Sequence, residues 1–235
     1  MVVKPSETSN KRKRPAMVHS FPLDQIGSLE CDVSTLNELG ESNHSAWLNW
    51  RRSDGGGEKA RVQSFSLGRC KIVRVQHDAN PARGPAKTNI SFVLEKDGLD
   101  GAEKLNRLVE AFRSLPQFKM TSSANLPFRE DPLSGDWYLN TSLYESARTP
   151  CVTKNARGRT VDLLSLAVGQ YVDIQKLFVN CATVYEGDDG TMHFSVKANP
   201  KLLIAEEAPK AKEALAESKR AQGKTTTVNV SDMLK

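Results

Sequence analysis

The sequence predicts a mainly β (α+β) domain: a barrel of five or more strands with one amphipathic helix, set between a disordered basic arm and a charged flexible tail. Three observations lead there. Alternating, β-branched segments recur between turn-rich stretches across 58–205. One stretch, 100–116, carries a clear helical period. Both ends are polar, charged and poor in large apolar residues, so they cannot bury enough surface to order themselves.

Residues 1–20 form the basic arm. Its run Lys11, Arg12, Lys13, Arg14, followed by Pro15, reads as a nuclear import signal or, equally, as a general polyanion-binding arm. Residues 21–57 hold Asp24, Glu30, Asp32, Glu38 and Glu41. The loose three-and-four spacing of Ile26, Leu29, Val33, Leu36, Leu39, Trp47, Leu48 and Trp50 predicts one or two short helices there. The glycines at 55–57 make a linker, and a boundary is expected before the 58–205 core.

Within that core RVQSFSLGRCKIVRVQ and NISFVLEK predict a hairpin joined by the turn-rich HDANPARGPAK, with Ile90, Phe92 and Leu94 on the core face. The helix DGAEKLNRLVEAFRSLP repeats Leu105, Leu108, Val109, Phe112 and Leu115 at helical spacing, with Asp100 and Glu103 as a capping box and Pro116 as its stop. QFKMTSSANLPFREDPLSG predicts a long surface loop. DWYLNTSLYE, VGQYVDIQKLFVNCATVYE and TMHFSVKANPKLLIA predict further strands, the last two forming a hairpin about EGDDG. With the first pair they are enough for a closed or nearly closed small barrel. Residues 206–235 are the charged tail.

At 235 residues the chain holds material for one ordinary domain once its ends are subtracted. It has no apolar run long enough to span a membrane and no signal-peptide pattern, which predicts a protein kept inside the cell. The cysteines Cys31, Cys70, Cys151 and Cys181 are far apart and read as reduced, buried thiols. His19, His44, His77 and His193 stand without metal-ligand spacing, QGKTTT lacks the glycine of a phosphate loop, and Asp188 and Asp189 suit a hairpin turn better than a cation. No enzyme, metal or cofactor is expected.

Single-strand binders join a basic groove, which tracks phosphates, to exposed rings on which bases stack. The strand KIVRV offers Lys71 and Arg74, and the loop after it Arg83 and Lys87; a second patch, free of acidic residues, offers Arg148, Lys154, Arg157 and Arg159. Trp137, Tyr138, Tyr144, Tyr171, Lys176 and Phe178 neighbour it in sequence. Rings alternating on strands are mostly core, so Tyr138, Tyr144 and Tyr171 are expected outside before Trp137 and Phe178. Single-stranded nucleic acid, DNA before RNA, is the expected ligand.

The succession of a strand pair, the helix AEKLNRLVEAF, the segment DWYLNTSLYESARTPCVTKNARGRTV, the strand start Gly169, Gln170, Tyr171, Val172 and the closing hairpin after Tyr185 resembles the single-stranded DNA-binding proteins of bacteriophages and eukaryotic DNA viruses. The resemblance implies an OB-like barrel, a role in viral or mobile-element replication, a setting in the host nucleus where the arm is an import signal, and an acidic tail that competes with DNA. This chain departs in the tail, whose charge is mixed, while its acidic block lies at 24–41. That block is expected instead to lie over the groove and weaken binding until displaced. Two alternatives stay open: a self-associating viral structural or assembly protein whose arm touches the genome, and an RNA-binding protein or silencing suppressor.

Overall fold

The computed structural model describes residues 17–40, 43–52, 60–80 and 85–207. The import-signal residues Lys11–Arg14, most of the basic arm, the glycine linker, Arg83 and nearly all of the charged tail lie outside them. The strands are Met17–Val18 (β1), Phe21–Pro22 (β2), Leu29–Val33 (β3), Asn37–Gly40 (β4), Asn43–Arg52 (β5) and Arg61–Val62 (β6). Phe65–Ser66 (β7), Gly68–Asp78 (β8) and Lys87–Leu94 (β9) precede the helix Lys96–Arg113 (α1). After it come Ser123–Asn125 (β10), Phe128–Glu130 (β11), Trp137–Tyr144 (β12), Val152–Asn155 (β13) and Thr160–Val161 (β14). The chain closes with Tyr171–Phe178 (β15), Cys181–Glu186 (β16), Met192–Val196 (β17) and Asn199–Ala205 (β18).

The fold is mainly β, as the sequence predicts. Five strands, β12-β9-β8-β15-β18, run antiparallel side by side and continue through β13 and β14. The row curls until Cα atoms of β12 and β18 come within 8 Å of one another. No ladder joins those two strands, so the strand path is open along that seam. This is the architecture of a partly open, OB-like five-stranded barrel. A second sheet, β1-β6-β5-β16-β17-β10 with β3 and β4 added on β5, packs beside it.

Period-two patterning makes the barrel. Ile90, Phe92 and Leu94 of β9 are at most 6% exposed, and their alternates Asn89, Ser91 and Val93 face outward. The hairpin about Gly187–Thr191 forms as expected, closed by Gly187 N–H to Thr191 O at 2.8 Å. The long run 169–187 is not one strand: it breaks after Phe178 into β15 and β16, which belong to different sheets, and 191–205 breaks likewise into β17 and β18.

The segment 21–50 departs most from expectation. Among its described residues only Leu23–Ser28 coils, as a 3-10 turn, and most of the others lie in β2 to β5. Ala46, Leu48 and Trp50 alternate into the core at 3% exposure or less, a period of two that the helical spacing of their neighbours obscures. Trp50 donates its indole N–H to Val179 O at 2.5 Å and meets Phe65 edge-on at 5.5 Å. The segment thus shares one hydrophobic core with the 58–205 region.

Helix α1 forms where expected but begins at Lys96. The expected capping box is absent: Asp100 instead pairs with Lys104 at 2.6 Å and Glu103 with Arg107 at 3.0 Å. The stretch expected as a loop, 117–135, is anchored rather than free. Phe118 and Phe128 are buried, and Asn106 in α1 exchanges hydrogen bonds with the Phe128 backbone at 3.0 and 3.3 Å. β10 and β11 lie within it.

Gly101 lets α1 sit directly on the 3-10 turn, since a Cβ there would stand 2.7 Å from Asp24 N and 2.8 Å from Leu23 C, both backbone atoms. Gly101→Ala is therefore expected to destabilise the fold by about 1–3 kcal/mol through overpacking, although alanine is the better helix former. Urea unfolding checks it; a midpoint at or above wild type would mean that the turn yields.

Candidate nucleic-acid interface

Strand register decides what the outer barrel face carries. Two irregularities set it. β8 shifts register between Ile72 and Arg74, so Lys71 pairs with Val93 and Arg74 with Ser91, residues two apart on β9. Lys71 and Arg74, which strict alternation would place on opposite faces, therefore share one. A second shift on β15, between Ile174 and Lys176, does the same for Tyr171 and Lys176. Across the face run rows such as Tyr138–Val93–Lys71–Tyr171 and Asn140–Ser91–Arg74, with Tyr144 paired to Lys87 nearer the end.

The second sheet turns a polar face the same way. Ala182, Val184, Phe194 and Val196 go to the core. Their alternates Thr183, Tyr185, Ser195 and Lys197, with Asn43 on β5, face the β9–β12 side of the barrel. A groove of about 1050 Å³ lies between the two faces. Its cations are Arg74, Arg129 and Lys197, its phenol rings Tyr144 and Tyr185, and its remaining lining is chiefly Asn, Ser and Thr. Among the described residues none of the lining is acidic.

These cations keep their charge available. Arg74 donates to the neutral Gln76 Oε1 at 2.7 Å and Arg129 lies 3.5 Å from Asn125 Oδ1. Asn125 in turn donates to the Tyr185 hydroxyl at 2.5 Å, and the Tyr185 ring lies 5.4 Å from that of His193. Among the described residues none of the three cations forms an ion pair. An uncompensated positive groove with solvated hydroxyls and amides suits a phosphate chain.

The expected site residues divide. Arg74 and Tyr144 line the groove, Tyr144 being 41% exposed. Lys71, Lys87 and the half-buried Tyr138 share the face but not the groove lining. Tyr171 is not an open stacking ring: the Arg69 guanidinium lies 3.8 Å from its centroid, held by Glu206 at 2.7 and 3.0 Å. That bond keeps the Glu206 carboxyl below its usual range. Lys154 and Lys176 face outward farther round the barrel, beside Ile204 and Leu202.

Arg148, Arg157 and Arg159 are exposed but not in the groove. Arg157 and Arg159 sit in the turn that Asn155 Oδ1 closes by accepting both backbone N–H groups at 3.0 Å. The patch that sequence order places beside Trp137–Tyr144 leads into β13, which pairs with β18 and β14 rather than with β12. Trp137 and Phe178 are half-buried, as are Tyr138 and Tyr171; Trp137 packs against the core, whereas Phe178 is not part of it and has the Lys201 ammonium 6.0 Å from its ring centroid.

Three residues of the acidic block, Asp24, Glu30 and Asp32, do not lie over the groove as expected. Asp32 pairs with Arg51 at 3.1 Å on β3–β5, Asp24 lies on the turn under α1, and neither they nor Glu30 line it. The side chain of Glu38, and Glu41 altogether, lie outside the described residues.

Arg129, Lys197, Tyr185 and Asn125 were not legible as site residues. Arg129 is followed by Glu130 and Asp131, so no basic run marks it, and Lys197 stands alone in SVKAN.

Other chemistry is quiet. Burial pushes the thiols of Cys31, Cys70 and Cys151 up to about 12, so they stay protonated at neutral pH. Asp189 accepts from the Thr191 backbone and hydroxyl at 3.0 and 2.7 Å, the turn-closing work of a hairpin aspartate. Among the described residues no group of His, Cys, Asp or Glu is placed to hold a metal, and no helix is long and apolar enough to cross a membrane.

No family model and no curated protein match the sequence. Among the solved structures that resemble it are two of the single-stranded DNA-binding protein from bacteriophage Enc34. The C-terminally truncated form has 10% identity over 76% of this chain and 97% of that one, with a TM-score of 0.39. The form in complex with ssDNA has 10% identity over 75% and 97%, with a TM-score of 0.38. The resemblance is weak.

Proposed function

We propose that the chain binds single-stranded nucleic acid, DNA before RNA, in the groove between the barrel and the second sheet, without making or breaking a bond. One observation carries the reading: among the described residues, three cations without ion-pair partners and two phenol rings line a single groove that holds no carboxylate. In this reading Arg74, Arg129 and Lys197 take successive phosphates while Tyr144 and Tyr185 offer ring faces, each stacked base contributing about 1–3 kcal/mol. The site also agrees with the barrel's architecture. OB-type barrels hold oligonucleotides across their second and third strands and the loops after the first and fourth. Here those strands are β9 and β12, and the connection after the fourth is the β16–β17 hairpin that builds the opposite wall.

The test is fluorescence anisotropy of the full chain with single-stranded DNA, single-stranded RNA and duplex of equal length across a salt series. Binding should favour the single strands, with a log–log salt slope of at least about −2 from three neutralised phosphates. Tighter binding of RNA would reassign the ligand, and equal binding of duplex would remove the proposal.

A further inference from the structure

Among the described residues Trp47 is the largest apolar side chain left in the open near the groove, and its ring is not part of the hydrophobic core. It is 54% exposed, whereas Trp50, three residues on, is buried with its indole N–H bonded. The Trp47 backbone, by contrast, is held firmly. Its N–H donates to Ser34 Oγ at 2.8 Å, its carbonyl accepts from Ser34 N–H at 3.0 Å, and Cys181 pairs with it on the other side. A well-anchored strand thus presents a large apolar ring to solvent, at a cost in hydration and outside the core.

The register connects this ring to the groove. Cys181 pairs with Trp47, and the pairing of Ala182 with Val196 sets Lys197 on the other flank of Cys181. Trp47 and Lys197 therefore lie in one row, roughly 10 Å apart at two strand spacings, on the face that carries Thr183 and Tyr185. Beyond Trp47 on the same face, Asn49 accepts from Arg61 Nη2 at 3.2 Å, and Arg61 forms no ion pair among the described residues. Asp32 also lies opposite Asn49, and Arg51 neutralises it at 3.1 Å. The sequence of groups leaving the groove is cation, exposed indole, cation, the interleaving that a single strand requires.

We infer that Trp47 is a second stacking subsite, which takes a base of the same single strand after its backbone has passed Lys197 and directs the strand toward Arg61. The inference rests on the groove binding a single strand. It makes the binding site longer than the groove, so strand length reads it out.

Wild type and Trp47→Ala, each as the full chain, are titrated with oligodeoxynucleotides of increasing length, following anisotropy and tryptophan emission. The shortest strands that bind should bind both proteins equally. Longer strands should bind Trp47→Ala roughly tenfold more weakly, and the emission quenching seen with wild type should fall. Trp47→Phe, which keeps a ring, should recover most of the affinity. Length-independent affinity equal to wild type in Trp47→Ala overturns the subsite while leaving the groove reading intact, as does equal weakening in Trp47→Phe. Failure of wild type to bind any single strand overturns the groove reading itself. A wild-type dimer that Trp47→Ala renders monomeric, with DNA affinity unchanged, would assign the ring to self-association instead.

Discussion

Arg74→Glu combined with Arg129→Glu should weaken single-strand binding by about 100-fold or more at low salt, since each replaces a charge-assisted phosphate interaction with repulsion. The log–log salt slope should become shallower by about 1.4, or 0.7 for each phosphate no longer neutralised. Both side chains are exposed and bond only neutral partners, Gln76 and Asn125, so the fold should be unaffected and thermal unfolding should superimpose on wild type. The control is Arg157→Glu combined with Arg159→Glu, which changes net charge equally at the Asn155 turn, away from the groove. Screening over about 8–10 Å at physiological salt should hold its effect to a few-fold. Equal weakening in the two double variants would mean that the groove is not the binding site and that only net charge matters.

The largest stability effect should come from Trp50→Ala. Truncation of a fully buried aromatic costs about 3–5 kcal/mol. Here it also removes the edge-on packing with Phe65 and leaves the Val179 carbonyl without its donor. For a domain of this size that corresponds to a fall in Tm of roughly 6–20 °C by calorimetry or circular dichroism. Trp50→Phe, which keeps most of the apolar volume and removes the N–H, should fall much less. A Tm for Trp50→Ala within a degree or two of wild type would mean that β5 is an appendage. The expected result implies that a chain shortened to 51–205 lacks part of its core and gives no fair account of the binding site.

Elements whose signals are local were legible. The β8–β9 hairpin, the β16–β17 hairpin and α1 each carry a clear period bounded by turn residues, and each stands where expected. The segment 21–50 was not, because Ile26, Leu29, Val33 and Leu36 mimic a helical stripe while pairing with β16, some 130 residues distant, determines the outcome. The α1 start moved from Asp100 to Lys96 for a similar reason. Gly98 and Gly101 read as poor helix formers, but they are where the helix closes on Leu67 and the 23–28 turn.

What the sequence determined by itself was the mainly β class, the helix α1, and the kinds of group available for a phosphate chain, Arg74 and Tyr144 among them. Only the tertiary structure decided which of those groups meet. A register shift of one residue on β8 brings Lys71 and Arg74 to one face, and the fold of the β16–β17 hairpin against β5 sets Lys197 and Tyr185 opposite Tyr144. The same fold carries Arg157 and Arg159 away and lays Arg69 over Tyr171. The physical reason is that side-chain type is a property of one residue, whereas a groove is a property of pairings between strands far apart in the chain, and a single bulge reverses the face of every residue after it.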